Sequence, residues 1–318
     1  MKPYLASIMC AGLLWGCGNA GDSAAPLDNE NPVIEAASVD TVSDDADFRD
    51  VLRQYQDLNT RLASVAYRLQ KANAPLCPVT YRDTGFTVHM VTDYPETLQP
   101  IARELLSVSD RLSVRTVREN SSADAAGLIP SDEIAQVFGA YVPSGPSAKL
   151  LFQAASTRAF EADEAVLKIR RGGQVMDMVL NPETLCGYPV NVFFSERING
   201  HTDGREVWIT SELIRSEPNN VNLALVVAHE IAHAIAGHVN QTPTKLLELE
   251  ADRMALIMLA RAGYDIGFAI DDWQYAPRSH GPLDENSGHP SSAERLENFR
   301  AAEAEIEAKR RAGKPLTF

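Results

Sequence analysis

The stretch 225-LVVAHEIAHAIAGHVN-240 constrains the fold of this chain more than any other. It sets three histidines and a glutamate in a run that is otherwise almost wholly apolar. With no proline and no glycine before Gly237, it reads as part of a buried helix over Asn219–Val239. Buried imidazoles need partners. His229 and His233 are four residues apart, about 40° around a helix axis, so both project from one face. Each can offer Nε2 to one metal ion at ~2.0–2.1 Å. Glu230 is rotated by about 100° from His229 and stands beside such an ion, where a base can take a proton from water. His238 falls about 140° from His233, on another face. It reads as a helix-end histidine near the negative end of the dipole rather than as a ligand.

Two histidines leave a metal site incomplete, so a second element must pack against this helix. The next helical pattern, Lys245–Arg261, carries 248-ELEAD-252. Glu248 and Asp252 share a face of it, and Glu250 points away. Glu248 is the candidate third ligand, giving two histidines and a carboxylate with one position open. Asp252, one turn on, can accept the Nδ1–H of a ligating histidine and fix its tautomer. The competing reading makes these acids a solvated face shared with Arg253 and Arg261. A third helical pattern, Ser291–Arg311, follows 288-GHPSSAER-295. His289 and Arg295 can bring an imidazole and a guanidinium to the cleft, to hold substrate backbone or an oxyanion. A surface turn and cap is the plainer alternative.

The chain has 318 residues, 43 acidic against 29 basic, for a formal net charge of -14. That balance excludes nucleic acid, which needs a basic footprint. The N-terminal stretch MKPYLASIMCAGLLWGC has one Lys and then an apolar run from Tyr4 to Trp15, too short to span a bilayer. It ends in Leu14-Trp15-Gly16-Cys17, which resembles a bacterial lipobox with Cys17 as the lipidated residue. An ordinary cleaved signal peptide with an incidental cysteine is the alternative. Gly18, where an Asp would alter sorting, resembles outer-membrane lipoproteins. The expected location is therefore the bacterial cell envelope, facing the periplasm, with acyl chains on Cys17 as the only membrane contact. Of four cysteines, Cys10 leaves with the signal and Cys17 carries lipid, so Cys77 and Cys186 remain. In an exported chain that pair predicts a disulfide, with two buried free thiols as the alternative.

The signal and lipidation site thus occupy residues 1–17. Residues 18–47 contain no Lys or Arg and read as a flexible acidic tether. From Phe48, the residues Val51, Leu52, Tyr55, Leu58, Leu62, Val65 and Leu69 mark one face of a helix that ends near Asn73, ahead of Pro75. Phe86–Val91 alternates as a strand, and Ile101–Val108 reads as a helix, which completes a largely helical segment over 48–106. Residues 107–183 differ. Leu112–Val117 alternates as a strand, 121-SSADAAGLIPSDEIAQVFG-139 follows, and 166-VLKIRRGGQVMDMVL-180 reads as a hairpin through Arg171-Gly172-Gly173. This order resembles a bacterial PDZ domain, which implies a β-rich unit able to take an extended peptide at a strand edge. Two departures stand out. The family's Pro-Gly-Asp is here Pro130-Ser131-Asp132, and no glycine-rich loop precedes Leu112. Capture of a free C-terminus therefore does not carry over, and a purely structural insert is the alternative. In 184–318, strands at Val190–Phe194 and Glu206–Thr210 are joined by a polar turn over 199–204, ahead of the three helices.

HEIAH, then ELEAD on the next helix, then HPSSAER resembles the HtpX and CAAX-prenyl-protease family of zinc metallopeptidases, above all its soluble BepA-type periplasmic members. The resemblance extends over about residues 186–300. It implies an α+β fold: a mainly helical zincin-type metallopeptidase domain with a small sheet, built from 48–106 and the catalytic segment 184–318, plus the PDZ-like β-rich domain at 107–183. It implies one Zn²⁺ per chain on His229, His233 and Glu248, Glu230 as general base, and Asp252 behind a ligand histidine. His289 and Arg295 are similar to residues lining the family's cleft, where the histidine can restrain activity by approaching the metal. Glu206–Thr210 looks like the family's substrate-pairing edge strand. The expected activity is that of a zinc-dependent metalloendopeptidase hydrolysing misfolded or unassembled cell-envelope polypeptides. The alternative is a protease-fold chaperone or adaptor that binds envelope proteins through the PDZ-like domain without cleavage. A zinc hydrolase acting on another electrophile ranks third.

Overall fold

A long amphipathic helix, α1 (Asp45–Asn73), is the spine on which the later helices are laid. Leu52, Leu58, Leu62, Val65 and Leu69 recur along its inner face, and all are buried. Its polar residues finish the job. Arg61 donates to the carbonyls of Ile214 and Glu217, and Arg68 to those of Ala262 and Gly263, so α1 caps the C-terminal ends of two other helices. The computed structural model describes residues 45–275 and 290–318. The signal segment with Cys17, residues 18–44 of the tether, and His289 lie outside the described residues.

After α1 the chain leaves this helical body through a narrow neck. Strand β1 (Thr80–Asp83) pairs antiparallel with β8 (Glu183–Cys186), Thr80 opposite Cys186 and Asp83 opposite Glu183. A disulfide joins Cys77 to Cys186 beside it, with Cα atoms 5.5 Å apart. Lys71 pairs with Glu183 at 2.5 Å, and Arg118 with Asp83 at 2.7 Å. Entry and exit of the excursion between them are thus held together both covalently and by partly buried charge.

Beyond the neck lie β2 (Phe86–His89), α2 (Gln99–Leu106), β3 (Ser113–Val117), α3 (Ser122–Ala125), β4 (Glu133–Val137), β5 (Ala140–Tyr141), α4 (Ala148–Ala159), β6 (Ala165–Arg171) and β7 (Gln174–Leu180). The strands form one antiparallel sheet in the order β2-β3-β4-β6-β7, with β5 added to β4. Val114, Ile134, Leu167, Ile169 and Leu180 supply its buried face. The β6–β7 hairpin turns at Gly172 and Gly173, whose φ values of 54° and 81° are those a two-residue turn requires. The sheet also recruits β2, which lies ahead of residue 107, because Phe86 packs on Phe152 of α4 at 6.0 Å. Sequence periodicity did not show α4. Its buried residues are Ala148, Phe152, Ser156 and Ala159, whereas the conspicuous Leu150 and Leu151 face outward.

The chain then returns through β9 (Val190–Phe193), β10 (Gly200–Thr202), β11 (Val207–Thr210), α5 (Ser211–Ser216), α6 (Asn220–Ala236), α7 (Lys245–Arg261), α8 (Ile266–Tyr275) and α9 (Ser292–Arg311). Here the structure corrects the sequence reading. Residues 199–204 are not a simple turn between two strands, since Gly200–Thr202 is itself a strand. The sheet order is β10-β11-β9, with β11 antiparallel to β10 and parallel to β9. β11 therefore has a partner on each side, and Glu206–Thr210 is not an edge; β10 is. Alternation marks a strand but says nothing of which neighbour it takes. Among the described residues, no helix is long and apolar enough to cross a membrane.

Ser131 has φ 72°, so the position that is glycine in the resembling PDZ pattern keeps its left-handed backbone with a side chain added. Ser131→Gly should raise stability by up to about 1 kcal/mol in urea unfolding, by relief of that strain. A loss of stability would show that the Ser131 hydroxyl contact with the Leu106 carbonyl at 3.3 Å outweighs the backbone term. Replacing Cys77 and Cys186 together by serine should destabilise the chain by about 2–5 kcal/mol, because the bond closes a long loop of the unfolded state. Equal denaturant midpoints for the two proteins would refute this.

Candidate metal centre

The site is made by α6 lying against α7. The Asn219 side chain accepts from the amides of Val221 and Asn222 and starts α6, and Thr244 caps α7 in the same way through Leu247. Ala232, Ala251 and Met254 pack between the two helices, and the two alanines are small enough to let them approach closely. That approach brings Glu248 up to the histidine pair. His229 Nε2 and His233 Nε2 are 3.0 Å apart, and Glu248 stands 3.4 Å from the first and 3.5 Å from the second. All three residues offer a ligand atom within 4.8 Å of the others.

This triangle has the dimensions of a metal site. Ligands at ~2.0–2.1 Å from a tetrahedral cation stand ~3.3 Å from one another. Glu248 is 9% exposed and turns its carboxylate to two imidazole Nε2 atoms, an arrangement that a shared cation would satisfy. Glu230, partly buried, follows His229 on α6 and turns toward β10. A Cβ at Gly200 would stand 3.4 Å from Glu230 Oε1 and 3.1 Å from Ile209 Cδ1, so glycine keeps that strand tight against the glutamate.

Behind the triangle, Asp252 Oδ1 is 3.0 Å from His229 Nδ1. The ring N–H is not aligned on that oxygen, so charge and proximity rather than a linear hydrogen bond describe the pair. Asp252 is 1% exposed and receives both Nε and Nη2 of Arg295 from α9. Burial raises the cost of its charge, but Arg295 and then His229 outweigh that and hold its carboxyl below the ordinary range. Arg295 itself lies 5.6 Å over Trp273 and 5.8 Å over Phe299. The sequence reading sent this guanidinium to substrate; in the structure its hydrogen bonds go to Asp252.

His238 is a neighbour of the triangle that helical spacing does not reveal. The reading that set it on another face assumed that the helix runs to Val239, whereas α6 ends at Ala236 and Gly237 turns the chain left-handed at φ 68°. His238 then folds inward, 6% exposed, with its Nδ1 3.1 Å from His233 Nδ1. The sequence signal was Gly237 itself, a helix terminator placed just before a polar ring.

Burial disfavours a charge on His229, but Asp252 and Glu248 beside it outweigh that and raise its pKa to about 10. Burial, and then the neighbouring His229, lower His233 to about 4. Near neutral pH the metal-free pair therefore carries one proton beyond those of two neutral rings, on His229, and a metal must displace it. Calorimetric titration with Zn²⁺ at pH 7.5 in buffers of different ionisation heat should show release of about one proton, with affinity rising toward pH 10. Heats independent of the buffer would contradict it.

Residues 179–247 match the model of peptidase family M48. The matched span contains His229, Glu230 and His233 and stops one residue before Glu248. No curated protein matches the chain. Among solved structures, the crystal structure of the HtrA3 PDZ domain bound to a phage-derived ligand (FGRWV) is similar at 22% identity and a TM-score of 0.25, covering 34% of this chain and 92% of that chain. The family match and the His229–His233–Glu248 triangle together support a metallopeptidase.

Proposed function

We propose that this protein is a zinc-dependent metalloendopeptidase. The observation that carries the reading is the triangle of His229, His233 and Glu248 with Glu230 next to it on α6, inside a span that matches a peptidase family. The donor set fits zinc: two imidazole nitrogens and one carboxylate oxygen, with a fourth position left for water or substrate. When bound there, zinc supplies Lewis acidity that polarises a carbonyl and lowers the pKa of water.

The remaining chemistry belongs to the chain. Glu230 accepts a proton from the attacking water and returns it to the leaving amine. Asp252 steadies His229, and Arg295 keeps Asp252 ionised in a buried place where a lone carboxylate would take up a proton. An extended peptide adds to the free edge of β10 beside Gly200, which brings its backbone past Glu230. This edge replaces the Glu206–Thr210 strand that the sequence reading offered, since β11 is already paired on both sides.

The finer parts of the reading rest on the sequence alone. They are membership of the soluble BepA-type branch, a lipid anchor at Cys17, an outer-membrane position facing the periplasm, and misfolded or unassembled envelope polypeptides as substrates. His289 as a gate over the metal belongs with them. An intact Glu230 beside a full ligand set favours cleavage over the chaperone or adaptor reading, in which no base is needed.

Glu230→Gln should bind Zn²⁺ as the parent does, yet hydrolyse a dye-labelled unfolded polypeptide about 10²–10⁴-fold more slowly. Cleavage at the parental rate by that variant would end the assignment. Normal function of the variant in cells, with cleavage abolished, would move the reading to the chaperone.

A further inference from the structure

His233 has a dedicated anchor that the ligand set does not include. Its Nε2 faces His229 and Glu248, so in a neutral ligating ring the proton sits on Nδ1. That Nδ1 is 3.1 Å from Nδ1 of His238, and the two rings meet edge to face at 74° with centroids 5.1 Å apart. His238 turns its other nitrogen, Nε2, to Glu250 Oε2 at 3.4 Å. The geometry points to a relay, Glu250 to His238 to His233, in which His238 is a positioning residue that sets the tautomer and ring orientation of the second histidine ligand. This inference rests on the metal-centre reading.

The direction of the relay is set by the hydrogen-bonding capacity of each atom. A carboxylate only accepts, so Glu250 favours the proton of a neutral His238 on Nε2. His238 Nδ1 is then a bare lone pair and accepts from His233 Nδ1–H. That in turn leaves His233 Nε2 bare and facing the triangle. The opposite order would put a proton on His233 Nε2 and spoil it as a ligand. Glu250 is exposed and its contact is long, so it only biases the relay. The burial of His238 holds the geometry: the residue is 6% exposed between Gly237 and Val239, which are both exposed. A polar ring turned inward from an exposed helix end requires an inward partner, and among the described residues His233 supplies it.

Gly237 makes the arrangement possible. A Cβ there meets nothing within 4 Å, so only its φ of 68° demands glycine. That turn swings His238 from the far side of the helix to the back of His233. The two ligand histidines are then anchored differently. His229 is backed by a buried carboxylate with its own arginine, and His233 by a second imidazole. An anion behind each imidazole, with Glu248 in front, would gather three negative charges in one buried place with a single arginine to balance them.

The test measures Zn²⁺ affinity of the full chain by competition with a chromophoric chelator. His238→Phe keeps the ring volume and removes the acceptor; affinity should fall about 10–100-fold. His238→Asn sets an amide oxygen where Nδ1 was, and affinity should return to within about 3-fold of the parent, since an acceptor again stands behind the ligand. Nitrogen-15 spectra of histidine-labelled, zinc-loaded protein should show a protected His233 Nδ1–H in the parent and in His238→Asn, and lose it in His238→Phe. Parental affinity in His238→Phe would overturn the relay. An equal loss in both variants would also overturn it, as a packing defect. A parent chain that binds no Zn²⁺ would instead bring down the metal-centre reading, and this inference with it.

Discussion

The close contact of α6 with α7 is the constraint on which the rest of the structure depends. Neither helix holds enough ligands by itself. α6 offers two imidazoles on one face and α7 one carboxylate, and a site exists only at the separation that Ala232 and Ala251 permit. Larger side chains at those positions would force the helices apart, and a ligand triangle with edges of 3.0 to 3.5 Å has little room for that. Much of the remaining architecture fixes this one distance. α1 caps the far end of α7 through Arg68, and α9 enters from the other side to place Arg295 on Asp252.

Buried charge sharpens the arrangement. Asp252 is almost wholly removed from solvent and Arg295 largely so, with 15% of its side chain exposed, and the carboxylate alone would be costly there. Removing one partner of such a pair costs about 3–5 kcal/mol, because the other is left buried and uncompensated. The pair thus ties three helices, α6 through His229, α7 through Asp252 and α9 through Arg295, to a single geometry. Precision at the His229–His233–Glu248 triangle is the return on that cost. The β-rich excursion stands apart from the metal-centre helices along the chain. It is joined by the β1–β8 pair and the Cys77–Cys186 bond, has its own apolar cluster, and also docks on α1, where Leu52 packs with Val91, Tyr94 and Ile101 and Arg115 donates to Gln56.

The sequence by itself determined the local features. A helical period of about 3.6 residues sets His229 and His233 on one face and Glu248 with Asp252 on another, whatever surrounds them. Glycine and proline likewise announced the end of α1, the β6–β7 turn and the start of α9, because backbone dihedral limits act within a few residues. Only the tertiary structure decided the rest. Strand alternation did not reveal that β10, not β11, forms the edge beside Glu230, since pairing order is set by distant segments competing for the same hydrogen bonds. Nor did it place α4, whose exposed leucines hide its buried face. Arg295 found Asp252 across a separation of 43 residues. His238 came to rest on His233 because one left-handed residue, Gly237, ends the helix on which the angular reading depended. Periodicity holds only while the helix continues; past its last turn, the path of the chain is settled by whatever polar partner the packed interior leaves within reach.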